Sequence, residues 1–331
     1  MKSIIAVSTI LACSIVPMAY AEDTIPLSLD TQTITVSGLS SGGYMASQFH
    51  FAHSDWVSGA ALLASGPVYC AQNSITTALE RCVDKVASEI PLDVINSQVA
   101  TWANDGKIAN TKHLEGDKVW IYHGKRDTRV NEAVTQALIK QYQTYVKPDL
   151  VVAVTDQPTP HVFPTLTNGN DCTDSTSPFI GACEYDAAGA MLTHLIGATA
   201  PEHSKASGTL VKIDQHKLGG QPANTLAKEG YLYVPSTCEQ GEVCKVHVSF
   251  HGCNQNAEAV GTAYAEQTGI NRWADANETV VLYPQTKKSM FLPLNPQACW
   301  DWWGYTGADY ATQEGKQITA VKNMINALSA Q

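Results

Sequence analysis

The chain has 331 residues, of which 16% are charged, with 31 acidic against 21 basic side chains and a formal net charge of −10. That balance, with no long basic run, excludes the electrostatic footprint of a nucleic-acid-binding protein. The charged fraction lies under the roughly 25% usual for soluble domains, so neutral and aromatic groups must carry more of the surface, which suits an uncharged substrate.

Taken in chain order, residues 1–21 place Lys2 ahead of an apolar run over 4–18, then Ala19-Tyr20-Ala21 before the acidic pair Glu22-Asp23. This is the order of a secretory signal cleaved after Ala21. As a membrane anchor the run falls short of the roughly 20 apolar residues a spanning helix needs. Use of Cys13 as a lipidation site is the other alternative, which Leu11 and the short preceding run fit poorly. No later segment is apolar enough to span a bilayer, and neither a repeat nor a Pro/Thr/Ser-rich linker divides the rest of the chain. Residues 22–331 are therefore read as a single catalytic domain, extracellular or periplasmic, and a monomer is expected.

Residues 33–37 (TITVS) predict a strand, followed by a Gly/Ser turn and a helix over 43–53. The apolar runs 60–64, 119–122 and 150–154 have the composition of buried parallel strands, as do 246–250 and 279–283. Helices are predicted over 132–145 and 258–276. The last helix sets Ile318, Val321, Ile325 and Leu328 on one face, so it should pack on the sheet. The alternation argues for an α/β fold, a mostly parallel sheet with helices on both faces.

Gly38-Leu39-Ser40-Ser41-Gly42 fits the G-x-S-x-G nucleophile elbow between a strand and a helix, although a plain Gly/Ser turn has the same composition. A serine hydroxyl needs a base within hydrogen-bond reach and an anion to orient that base. In sheets of this type the partners come in the order Ser, then Asp or Glu, then His, on loops at the carboxyl ends of strands. Asp127 comes after the strand at 119–122 and His161 after that at 150–154. The rival readings are Asp127 as the N-cap of the next helix and His161 as an ordinary loop histidine. Ser40, Asp127 and His161 are nevertheless the expected catalytic triad.

Acyl transfer also needs donors aimed at the developing oxyanion. The Ser41 N–H is one, and the His251-Gly252-Cys253 segment after the strand at 246–250 supplies the Cys253 N–H as the other. In the usual chain order that loop precedes the serine, so its position here implies a circularly permuted α/β-hydrolase fold. Cys299-Trp300-Asp301-Trp302-Trp303-Gly304-Tyr305 reads either as a core aromatic cluster or as a loop lining a cleft, with Trp302, Trp303 and Tyr305 as candidate substrate contacts.

Once Cys13 leaves with the signal, an even number of cysteines remains, which in an exported chain argues for disulfides. The expected set is Cys70-Cys82, Cys172-Cys183 and Cys238-Cys244, each closing a short loop, with Cys253-Cys299 tying distant ones together. The competing metal site lacks any Cys-x-x-Cys pair or His-Glu-x-x-His helix, so no metal and no cofactor is expected.

These residues resemble a known family, the extracellular poly(3-hydroxybutyrate) depolymerases, and especially their single-domain, circularly permuted type. The resemblance rests on GLSSGGYMA at 38–46, HGKRD at 123–127, HVFPT at 161–165 and PFIGACEYDAAG at 178–189. It continues in FHGCNQ at 250–255, YPQT at 283–286 and CWDWWGY at 299–305. It implies a serine esterase acting on polyester polymer or oligomer, with its triad on Ser40, Asp127 and His161 and its oxyanion hole on the Ser41 and Cys253 amides. It also implies that either Trp302 or Trp303 stands beside the bound ester. A feruloyl, acetyl-xylan or general short-chain esterase is the alternative enzyme, and a secreted binding protein without chemistry the alternative of another class.

Overall fold

The computed structural model describes residues 27–201 and 205–329. The secretory signal read over 1–21 lies outside the described residues. The main sheet has eight strands: β1 (Ser28–Leu39), β2 (Val57–Leu63), β3 (Lys118–Tyr122), β4 (Val151–Val154), β8 (Thr209–Asp214), β9 (Glu229–Val234), β10 (Val243–Phe250) and β11 (Thr279–Tyr283). They lie in the order β4-β3-β2-β1-β10-β11-β9-β8. From β4 through β11 every pairing is parallel, and β9 is antiparallel to both of its neighbours. Three short strands, β5 (Phe163–Thr165), β6 (Asn170–Asp171) and β7 (Ile180–Ala182), form a second parallel sheet after His161.

The period-2 pattern of each strand splits the core in two. In β3, Val119 and Ile121 enter one apolar cluster while Trp120 and Tyr122 enter the other. The first cluster is completed by α1 (Ser41–Ala52), α3 (Leu92–Asn104), α4 (Glu132–Tyr145) and the C-terminal helix Lys316–Ser329. There Ile318, Val321, Ile325 and Leu328 are all buried, as their common face requires. The second cluster is covered by α5 (Ala187–Ile196) and by short helices from the 257–275 region. A smaller cluster beside α2 (Ile75–Arg81) contains Tyr44 and Trp302.

Two expectations need correction, and two strands have no expectation at all. The helix expected over 258–276 is three pieces, Ala257–Val260, Ala263–Gln267 and Ile270–Asp275. Gly261 and Gly269 break it, with φ of 60° and 85°, a conformation that glycine adopts without the steric cost a Cβ would bring. The run at 150–154 is not a buried strand but the edge of the sheet, with Val152 and Ala153 exposed. β8 and β9 are not singled out in the sequence: β8 is a half-exposed edge strand whose pattern blends into the loops around it, whereas β9 is buried after Glu229 and its short apolar run is passed over.

Among the described residues no helix is long and apolar enough to cross a membrane. No group of three or more His, Cys, Asp or Glu among them could hold a metal ion. Four disulfides join Cys70 to Cys82, Cys172 to Cys183, Cys238 to Cys244 and Cys253 to Cys299.

Candidate active site

Ser40 stands at the junction of β1 and α1 with φ 57° and ψ −121°. A side chain in that conformation costs about 1–3 kcal/mol and persists only where its surroundings over-determine it. Here the Ser40 amide donates to the Leu63 carbonyl at 2.9 Å, and the Ser40 carbonyl accepts from the Tyr44 amide at 3.0 Å. The flanking glycines are required by space. A Cβ on Gly38 would sit 2.2 Å from the Gly42 carbonyl, and one on Gly42 would sit 2.1 Å from the Phe250 oxygen. The turn is thus pressed against β10 and lifts Ser40 off the sheet, where it stays half-buried beside the cleft.

The loop after β3 and the loop after β4 are zipped together by backbone bonds. His123 donates to Val154 at 2.9 Å, Lys125 to Gln157 at 2.8 Å and Arg126 to Thr159 at 3.0 Å. Gly124 has no room for a side chain, since its Cβ would meet the Thr159 oxygen at 2.2 Å. This zipper sets Asp127 Oδ2 at 2.7 Å from His161 Nδ1. The other oxygen, Oδ1, accepts from the amides of Arg129 at 2.8 Å and Val130 at 2.9 Å. Burial of the carboxyl opposes its ionisation, but the His161 charge and hydrogen bond together with the two amides outweigh it and hold its pKa below the ordinary value. An ionised carboxylate only accepts, so the proton in this contact sits on His161 Nδ1, and Nε2 is the ring nitrogen that Asp127 leaves uncommitted.

β10 ends at Phe250, and the segment after it lies against the elbow: a Cβ on Gly252 would be 3.6 Å from the Ser40 Cβ. His251 is fully buried, with Nδ1 bonded to the Gly252 oxygen at 2.7 Å and Nε2 accepting from the Thr286 amide at 3.2 Å. Burial lowers its pKa to about 4, so it is neutral at neutral pH. Gln255, the last residue of the FHGCNQ block but given no role of its own from the sequence, is the brace of this loop. Its Oε1 accepts from the Gly252 amide at 2.7 Å, and its Nε2 donates to the carbonyls of Pro178 at 2.8 Å and Phe179 at 3.3 Å. The serine side of the cleft is thereby tied to the segment that comes after His161. The signal available was a polar residue inside the FHGCNQ block, close to the proposed donor.

Ser40, Ser41, His161 and Cys253 all line one cavity of about 860 Å³. Trp302, Trp303 and Tyr305 line it as well. Trp302 is only 6% exposed and stacks on Tyr44 with ring centroids 4.5 Å apart. Trp303 is half-buried and lies 4.9 Å from the Tyr305 ring. The Tyr305 hydroxyl donates to the Cys299 carbonyl at 2.9 Å and accepts from Gln317 at 2.8 Å. The Cys253–Cys299 disulfide joins the segment after β10 to this aromatic wall. The mouth carries Ile75, Leu79, Leu292 and Leu294, each more than 40% exposed, at 47%, 54%, 93% and 53%. The arrangement unites a strained serine, an imidazole oriented by a carboxylate and an apolar cleft, the parts that nucleophilic attack on an uncharged ester requires.

Residues 229–331 match the family described as Esterase PHB depolymerase. The poly(3-hydroxybutyrate) depolymerase of Delftia acidovorans is 38% identical over 309 residues, 92% of this chain, and the chain spans 61% of that relative's length. The polyhydroxybutyrate depolymerase of Talaromyces funiculosus is 34% identical over 314 residues, 91% of this chain and 90% of that protein. A solved PHB depolymerase complexed with an R3HB trimer matches with a TM-score of 0.86 at 32% identity, covering 93% of this chain and 99% of that one. With one fold shared across nearly the whole of both chains, this protein belongs to the PHB depolymerase family of esterases, of the α/β-hydrolase type.

Proposed function

We propose that the chain is a secreted serine esterase that hydrolyses poly(3-hydroxybutyrate) or its oligomers. The observation that carries this reading is the Asp127–His161 pair at 2.7 Å, whose imidazole lines the same cavity as the strained Ser40. Membership in the family supports the substrate class. Residues 22–331 act as one catalytic domain, since both main apolar clusters share a single sheet. The chain order is taken as circularly permuted: β10, late in the sequence, stands beside β1 at the centre of that sheet. The four disulfides suit an oxidising compartment outside the cytoplasm.

In this mechanism Ser40 Oγ attacks the ester carbonyl while His161 Nε2 takes its proton, and Asp127 stabilises the imidazolium. Charge building on the carbonyl oxygen is met by the amides of Ser41 and Cys253. His161 returns the proton to the departing alkoxide, the alcohol end leaves, and an acyl-Ser40 ester remains. Water then attacks the acyl group as His161 takes its proton, Ser40 is released, and a 3-hydroxybutyrate unit or short oligomer departs. The Trp302–Tyr305 wall holds the bound chain, and the apolar mouth adsorbs to solid polymer.

Clearing of a poly(3-hydroxybutyrate) suspension by the purified protein, with Ser40→Ala as control, tests this. Wild type should clear it and release 3-hydroxybutyrate or oligomers, and Ser40→Ala should lose at least about 10³-fold in rate. Cleavage of soluble esters without clearing would remove the polymer from the reading, and an active Ser40→Ala would remove the triad.

A further inference from the structure

We propose that Arg129 is a receptor for the free carboxylate that ends a polyester chain or oligomer, so that the cleft tells chain ends from chain interiors. The proposal rests on the ester-hydrolysis reading above and adds a binding site to it. Arg129 lines the same cavity as Ser40 and His161. It is the only Lys, Arg, Asp or Glu among the described lining residues, the remainder being apolar, aromatic or neutral polar apart from His161.

Among the described residues no ion pair engages its guanidinium. The carboxylate nearest in sequence, Asp127, is already committed. One of its oxygens serves His161, and the other serves the backbone amides of Arg129 and Val130. The guanidinium instead sits 5.6 Å from the centre of the Phe179 ring, which also lines the cavity. Contact with a ring face steadies the side chain while the N–H groups at the edge of the guanidinium plane remain able to donate. The amide of Arg129 itself is fixed at 2.8 Å from Asp127, so the side chain springs from a point anchored to the reacting centre.

The chemistry of the substrate selects the ligand. The interior of a polyester presents only neutral esters, and the one anion it carries is its terminal carboxylate. A planar guanidinium matches a carboxylate with two parallel hydrogen bonds. A chain with a formal charge of −10 repels that anion at long range, so a cation within the cleft is what would let the acid end enter.

The test compares 3-hydroxybutyrate trimer as the free acid and as its methyl ester, with wild type and Arg129→Gln, both full chain and both checked for unchanged Tm. Wild type should prefer the acid by about tenfold in kcat/KM at low salt, a preference that shrinks as ionic strength rises. In Arg129→Gln the ratio of acid to methyl ester should fall to about one, through KM, and Arg129→Lys should recover part of it. The same ratio in wild type and Arg129→Gln, with both compounds cleaved, would overturn this inference alone. If wild type cleaves neither compound, the esterase reading falls and takes this site with it.

Discussion

Two neighbouring stretches of the cleft wall, 290–294 and 299–305, are both rich in large apolar side chains, yet the fold treats them oppositely. In the first, Met290 is 68%, Phe291 85% and Leu292 93% exposed. That loop is closed at its base by paired bonds between Ser289 and Asn295, and the Ser289 hydroxyl donates to Phe291. In the second, Trp300 and Trp302 are buried around the carboxylate of Asp301. Asp301 Oδ1 accepts from the amides of Trp303, Gly304 and Tyr305, and Oδ2 accepts from the amide and hydroxyl of Thr306. Its backbone is clamped as well, the carbonyl accepting from Gln48 on α1 and the amide donating to Gln317 on the C-terminal helix. The lesson is that apolar content does not decide burial here. A short polar residue at the centre of a run gathers the backbone amides that would otherwise be stranded, and so lets the run turn inward; the MFLPL run contains no such residue.

The sharpest way to break the contrast is Asp301→Ala, which strands four amides and a hydroxyl in a buried site. We expect a loss of about 3–5 kcal/mol in urea unfolding, together with loss of esterase activity. A stable, active Asp301→Ala would show that the aromatic wall is held by packing alone.

The next effect is smaller and depends on pH. His251 and Thr286 support the ordered wall from behind, and Thr286 donates its hydroxyl to the Ala298 carbonyl. The folded state holds His251 at a pKa of about 4, whereas the unfolded chain titrates near the ordinary value of 6.5. Between those values the unfolded state binds the extra proton, so stability is present above pH 6.5 and is lost as pH falls toward 4. The slope is about 1.4 kcal/mol per pH unit for this group. His251→Gln should flatten the acid limb of a plot of unfolding free energy against pH; an unchanged limb would place the titration in other groups.

The smallest stability effect is expected at the exposed loop. Phe291→Ser should alter unfolding free energy by no more than about 0.5 kcal/mol. It should slow clearing of suspended polymer several-fold more than turnover of a soluble ester, because the side chain meets solvent or polymer and little else. Equal effects on both substrates would mean that the loop serves the cleft rather than adsorption.

Much of this architecture is legible before any coordinates. Continuous apolar runs mark the central strands, because a strand buried on both faces must be apolar on both, and the face shared by Ile318, Val321, Ile325 and Leu328 marks the last helix. Ser40 could be named from its flanking glycines, since the turn leaves no volume for a Cβ at Gly38 or Gly42. Asp127 and His161 could be named because each comes just after a strand. Gln255, Asp301 and Arg129 were not legible in the same way, since their significance lies in what they face rather than in their local pattern. A broken helix at 257–275 and an exposed edge at β4 likewise depend on neighbours that local periodicity does not report.

By itself, then, the sequence determines the central strands and the long flanking helices, where the chain must turn sharply and which side chains are candidates for ester chemistry, because these properties arise from short-range sterics and residue chemistry. Only the tertiary structure decides that the loop after β10 stands beside Ser40, that backbone bonds zip Asp127 onto His161, and that Arg129 lines the cleft with no ion pair among the described residues. Those are contacts between residues distant along the chain, and they exist only once the parallel sheet has brought the carboxyl ends of its strands together.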